Sequence, residues 1–148
     1  MPQKAIPRIL THPNYSAYLH RRKQRYEKLS RIAYEALKDI PGVLVNRTNG
    51  AFYMCAVFEK DLLNHRQTLP IVDPQVRNLV EELTRENIES DKRFVYYLLV
   101  AASICVVPLT SFSTDLQGFR FTLLEQDEAK FCEMIDTLSL SIRDYLKS

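Results

Sequence analysis

From Pro13 to the Pro41-Gly42 pair the chain offers one uninterrupted helical pattern, and the rest of the molecule has to be arranged around it. Asn14 or Ser16 is suited to cap its start and Pro41-Gly42 to stop it. Between them Tyr15, Tyr18, Leu19, Tyr26, Leu29, Ala33, Ala36, Leu37 and Ile40 recur at the spacing of a single apolar stripe. A rise of roughly 1.5 Å per residue makes the segment from Asn14 to Asp39 about 39 Å long. A chain of 148 residues packs to a radius of gyration of only about 15 Å. The helix must therefore run along one whole side of the molecule or overhang it. A helical wheel puts Arg22 at the centre of the stripe, with Arg21, Arg25, Lys28 and Arg31 on one flank. A buried arginine needs an acceptor, and none is evident along this helix, so its first half is expected to dock on a surface outside this chain.

After the helix, Val43 to Thr48 and Phe52 to Phe58 are β-rich runs joined through Asn49-Gly50, a dipeptide that tolerates the positive φ angles of a tight hairpin. Asp73-Pro74 is an N-cap followed by a first-turn proline, and Val76, Leu79, Val80, Leu83 and Ile88 follow at helical spacing. Ser90 is a candidate cap for a further helix ending near Ser103. Ile104 to Val107 reads as a buried strand, Pro108 to Gly118 as a loop and Phe119 to Leu124 as another strand. A last helix is capped by Asp127 and striped by Phe131, Met134, Ile135, Leu138, Ile142 and Tyr145. The order α-β-β-α-α-β-β-α predicts an α+β fold, a small sheet with a β-hairpin covered by long helices. Residues 1–148 are expected to form one domain, with 1–40 an N-terminal segment and bridging helix.

Charge and cysteine usage narrow the function classes. Residues 1–40 carry nine Lys and Arg against three Asp and Glu, a net +6, and the remainder carries 11 against 15, a net −4. Cys55, Cys105 and Cys132 form no CxxC pair and leave an odd count. In their apolar contexts they are expected to be reduced, inert core thiols in a cytoplasmic protein. No secretory h-region is present at the N-terminus, so the sequons at Asn14 and Asn46 are expected to be coincidental. The longest apolar stretch, Phe94 to Val107, is too short for a membrane span and runs into Pro108. The three histidines have no metal-ligand spacing, and no GxSxG, Walker or GxGxxG motif occurs, so no metal site and no catalytic residue is assigned. The basic run HRRKQRYEKLSR sits on a helix whose other face is apolar and the pI is 8.4, below that of a dedicated nucleic-acid binder, so no nucleic-acid partner is expected.

Arg120 stands apart. In a strand from Phe119 to Leu123 the pleat sends Phe119, Phe121 and Leu123 to one face and Arg120 to the other. A planar guanidinium fixed there suits bidentate binding of a carboxylate, either as a structural ion pair or as a substrate clamp. The residues alone leave both open.

Several consecutive motifs bear on that choice. Ala36-Leu37-Lys38-Asp39-Ile40-Pro41-Gly42-Val43, Asn49-Gly50-Ala51-Phe52-Tyr53, Ile104-Cys105-Val106-Val107-Pro108 with Phe112 four residues on, and Gly118-Phe119-Arg120-Phe121 occur in this order across nearly the whole chain. From about Ala5 to Leu146 the chain resembles the C-terminal small domain of a fold type I pyridoxal-phosphate-dependent aminotransferase, in the class I/II group of alanine, aspartate and aromatic aminotransferases. Leu109 and Ser113 replace glycines of the family pattern. The resemblance implies transamination between an amino acid and a 2-oxo acid, with Arg120 binding the substrate α-carboxylate and Phe112 beside it. It also implies a homodimer, and a large domain outside this chain that holds pyridoxal phosphate. None of the eight lysines has the Ser-x-Ser-Lys surroundings of the cofactor-linking lysine, so no cofactor and no activity are expected of this chain alone. A stand-alone, non-catalytic interaction or dimerisation module is the alternative.

Overall fold

The computed structural model describes residues 2–85 and 88–148. Nine regular elements follow one another: α1 (Ile6–Leu10), α2 (Tyr15–Leu37), β1 (Val43–Val45), β2 (Tyr53–Phe58), α3 (Pro74–Leu83), α4 (Ser90–Ala102), β3 (Val107–Pro108), β4 (Gly118–Thr122) and α5 (Glu128–Lys147). The expected order of elements is present, preceded by α1, which the sequence reading did not anticipate. Its signal was Pro7 at the first turn, where a missing N–H costs nothing.

All pairings in the sheet are antiparallel, in the order β1-β2-β4-β3. Alternation along the strands buries Val43, Met54, Ala56, Phe58, Phe119 and Phe121 on one face. There they meet Leu29, Ala33 and Leu37 of α2, Phe94, Tyr97 and Leu98 of α4, and the full apolar stripe of α5 in one continuous core. Phe94 packs edge-on against both Phe58 and Tyr145. Burial pushes the Tyr145 hydroxyl up to about 12. The Asp73 and Asp127 caps form as expected, each carboxylate accepting two backbone N–H groups of the first turn.

Four local expectations are corrected. The β1–β2 connection is no tight turn at Asn49-Gly50: seven residues, 46–52, separate the strands, in a register that pairs Val43 with Phe58. The positive φ falls on Ala51, and the loop folds against α2, where Thr48 hydrogen-bonds Ser30 at 2.6 Å and Phe52 packs on Tyr26. Ile104–Val107 is not a buried strand but runs into a short edge strand, Ile104 and Val106 facing inward and Cys105 and Val107 outward. Glu89, not Ser90, occupies the N-cap of α4. On α3 only Val80 is buried; Leu79 and Leu83 are exposed and Ile88 lies beyond the helix.

Of the two outcomes its length allowed, the long helix takes the overhang. Its buried residues are Leu29, Ser30, Ala33 and Leu37, all in the second half, while Tyr18 and Leu19 are exposed, as are Ile6, Ile9 and Leu10 of α1. Together α1 and the start of α2 form an open groove of about 910 Å³ lined by Ile9, Tyr15 and Tyr18 among others. Short helices without tertiary cover are marginal in water. In dilute solution, backbone amides of α1 and of residues 15–26 are therefore expected to exchange within about tenfold of unfolded-chain rates, and those of residues 29–37 far more slowly. Hydrogen exchange checks this, and uniformly strong protection across α2 would contradict it.

Candidate functional site

The open face of the sheet carries the residues that the buried face excludes. On β4, Phe119 is fully buried and Phe121 nearly so, whereas Arg120 lies half-buried on the opposite face, as the pleat requires. Its cross-strand neighbours are Cys55 on β2 and Val107 on β3. The guanidinium carbon lies 4.5 Å from the ring centre of Tyr53 and 4.1 Å from that of Phe112. Both rings thus lie within cation–π range of the charge. Among the described residues the ion pairs are Lys28 with Glu128, Lys38 with Glu35 and Arg47 with Glu35, so no carboxylate of the described chain answers Arg120.

Phe112 reaches the guanidinium from a single 3₁₀ turn, Leu109–Phe112, that follows Pro108. The turn ends at Ser113 in the left-handed region, φ 57°. Leu109 is buried and serves as the inner wall of this turn. The two predicted site residues, Arg120 and Phe112, are thus brought together, and Tyr53 joins them. Sequence reasoning passed over Tyr53, although its period-two relation to Cys55, opposite Arg120, places it on the same face one pleat away.

The cysteines are not core atoms. Cys55 and Cys105 are exposed because the extended runs around them alternate and the thiols take the outward positions, and Cys132 on α5 is half-buried. At Cys55 partial burial pushes the thiol up, while the nearby positive charge of Arg120 pulls the other way.

Arg22 also differs from expectation. It is exposed, and it has acceptors on its own helix one turn away in each direction. Nη1 donates to the Tyr18 hydroxyl at 2.7 Å and Nη2 to that of Tyr26, with both rings within 5.5 Å of the guanidinium carbon. The tyrosine hydroxyls raise its pKa. Arg25 donates to the carbonyls of Leu124 and Glu125, and Lys28 pairs with Glu128 at 2.7 Å, so part of the basic run holds α2 to the start of α5.

Lys28 and Lys38 are ion-paired on helix surfaces, and Lys4, Lys23, Lys60, Lys130 and Lys147 are exposed. Lys92, half-buried, is on α4. Among the described residues no cluster of His, Cys, Asp and Glu is arranged to hold a metal ion, and no helix is long and apolar enough to cross a membrane.

No family model matches the chain. Its whole length is 48% identical to part of an uncharacterized aminotransferase of Methanocaldococcus jannaschii, and it spans 34% of that protein. By structure, 86% of the chain superposes on 27% of an aspartate aminotransferase from Rhizobium meliloti, with a TM-score of 0.63 at 21% identity. An aspartate aminotransferase from Rhodobacter sphaeroides gives a TM-score of 0.56 over 90% of this chain and 26% of that one, at 17% identity. An aminotransferase from Escherichia coli gives 0.54 over 84% and 24%, at 21% identity. The chain is thus similar over its whole length to a portion of an aminotransferase. Its α+β fold is that of a portion of the aspartate aminotransferases, and it spans about a third of the curated relative it matches.

Proposed function

We propose that this chain is the C-terminal small domain of a pyridoxal-phosphate-dependent amino-acid aminotransferase, and that Arg120 binds the α-carboxylate of the amino acid or 2-oxo acid. The observation that carries this reading is a half-buried arginine flanked by Tyr53 and Phe112, with no carboxylate of the described chain paired to it. Its planar N–H edge matches the two oxygens of a carboxylate, and the adjacent rings of Tyr53 and Phe112 restrict its rotation. Phe112 contributes one such wall from a turn at the margin of the sheet.

The chain supplies the carboxylate site and lacks the rest of the chemistry. Pyridoxal phosphate, held by a large domain outside this chain, would stabilise the negative charge left when the amino acid loses its α-proton. Residues 1–40 supply the bridge to that domain, whose surface would cover the exposed stripe of α1 and the first half of α2. A homodimer in the cytoplasm completes the reading. Closure of the small domain would carry Arg120 toward the reacting carbon and orient the substrate.

Two measurements test this. Removing the Arg120 side chain in the complete enzyme must hurt substrates that bear an α-carboxylate and spare amines that lack one. Mixing the isolated chain with pyridoxal phosphate, then reducing with borohydride and digesting, is expected to label several surface lysines sparsely. One lysine labelled stoichiometrically would mean that this chain holds the cofactor itself and would overturn the division of labour.

A further inference from the structure

The first turn of α4 holds a buried carboxylate that the proposed chemistry does not use. Asp91 has no exposed surface, and no cation of the described chain pairs with it. Oδ2 accepts the backbone N–H of Thr110 at 3.0 Å and that of Gly118 at 3.3 Å, while Oδ1 accepts the Thr110 hydroxyl at 2.7 Å. Its own N–H donates to the side-chain oxygen of Gln117 at 3.0 Å. A buried charge without a counter-ion persists only where such donors satisfy it, and the N-terminal turn of a helix favours a negative charge.

The two segments that Asp91 joins are the two that build the guanidinium site. Thr110 lies two residues before Phe112 in the 3₁₀ turn, and Gly118 lies two residues before Arg120 in β4. A single carboxylate therefore anchors two arms of equal length whose ends meet at 4.1 Å. The turn has little else to fix it: of its four residues only Leu109 is buried, and Phe112 is exposed.

We propose that Asp91 is the positioning residue of the carboxylate clamp, setting the separation of Phe112 and Arg120 by tying the Thr110 turn and the start of β4 to α4. The proposal rests on reading Arg120 as the clamp, but its geometric half can be measured without any substrate. In the ¹⁵N-labelled chain the rings of Phe112 and Tyr53, 4.1 and 4.5 Å from the guanidinium carbon, should displace the Arg120 Nε–H resonance by their ring currents. Asp91→Ala should lose most of the Phe112 contribution, because two backbone N–H groups and a hydroxyl lose their acceptor. Asp91→Asn should restore it, since the amide oxygen can accept both N–H groups and the amide nitrogen can donate to the Thr110 hydroxyl. Thr110→Val, which removes one bond and keeps the branched shape, should lose part of it, and serves as the deciding variant if Asp91→Ala does not fold.

In the complete enzyme, Asp91→Ala should reduce kcat/KM for amino acids by roughly 100-fold, chiefly through KM, with a much smaller loss for the corresponding amines lacking the α-carboxylate. An Arg120 resonance unmoved in folded Asp91→Ala, or unmoved in Thr110→Val where the alanine variant does not fold, would overturn the positioning role. Losses in Asp91→Ala that are equal for amino acid and amine, while Arg120→Ala still discriminates between them, would overturn it too. If Arg120→Ala itself fails to discriminate, the clamp reading falls on its own, and the resonance continues to decide whether Asp91 sets the geometry.

Discussion

In the complete enzyme, Arg120→Ala is expected to lower kcat/KM for amino-acid substrates by roughly 30- to 5,000-fold, the equivalent of the ~2–5 kcal/mol that follows from truncating one partner of a desolvated, hydrogen-bonded charge pair. The environment of Arg120 argues for a substantial effect. The rings of Tyr53 and Phe112 lie 4.5 and 4.1 Å from its guanidinium carbon, and no carboxylate of the described chain offers it an alternative partner. Arg120→Lys should recover only part of the loss. An ammonium keeps the charge but surrenders the two parallel bonds that fix the plane of the carboxylate, and with it the direction of the α-proton. The informative comparison is between an amino acid and the amine that lacks its α-carboxylate: a clamp predicts a large loss for the first and little for the second. Were Arg120 a structural group only, both substrates would suffer equally and the melting temperature would fall with them.

The same residue shows what could be read from sequence and what could not. The pleat of a strand has a strict period of two, so Phe119, Arg120 and Phe121 fix the face of the guanidinium before any tertiary contact is known, and the structure places it there. Capping is equally local. Asp73 and Asp127 close their helices because a carboxylate one residue ahead of a helix meets its free N–H groups wherever the helix goes. Most of the readings that needed correction depended on partners remote in sequence or on a choice between faces. The loop at Asn49-Gly50 opens because Thr48 and Phe52 find Ser30 and Tyr26 on α2, contacts that no turn propensity encodes. Cysteines in apolar runs look buried until the alternation of the strand turns Cys55 outward. Arg22 looked like a buried cation because the wheel counted tyrosines as apolar and overlooked that their hydroxyls accept. Within the candidate site, Arg120 and Phe112 were legible from motifs, whereas Tyr53 and Asp91 act across strands and between elements. Asp91 in particular contacts residues 19 and 27 positions away.

Gly118 carries the largest expected effect on stability. Its φ is not in the left-handed region, so the requirement for glycine is one of space. A Cβ at this position would lie 2.3 Å from the carbonyl oxygen of Ala56, 2.8 Å from the Leu109 side chain and 3.0 Å from the Cα of Val57. Two of these three neighbours are backbone of β2, paired with β4 in register, and cannot move without parting the central strands of the sheet. Gly118→Ala is therefore expected to cost about 3 kcal/mol, the upper part of the usual overpacking range, and to lower the melting temperature by about 10 °C for a chain of this size. Gly50→Ala is the control: nothing lies within 4 Å of its added methyl group, and its effect should stay within about 0.5 kcal/mol. The two melting curves, recorded side by side, decide the matter, and a Gly118 variant melting within about 2 °C of the parent would mean that β2 and β4 separate more easily than their pairing implies. The consequence reaches the site as well, because the N–H of Gly118 is one of the donors that Asp91 accepts and Arg120 follows two residues later on the same strand. A strand displaced at Gly118 carries its guanidinium away from Phe112, so in the complete enzyme this variant should combine reduced stability with the carboxylate-selective loss expected of Arg120→Ala.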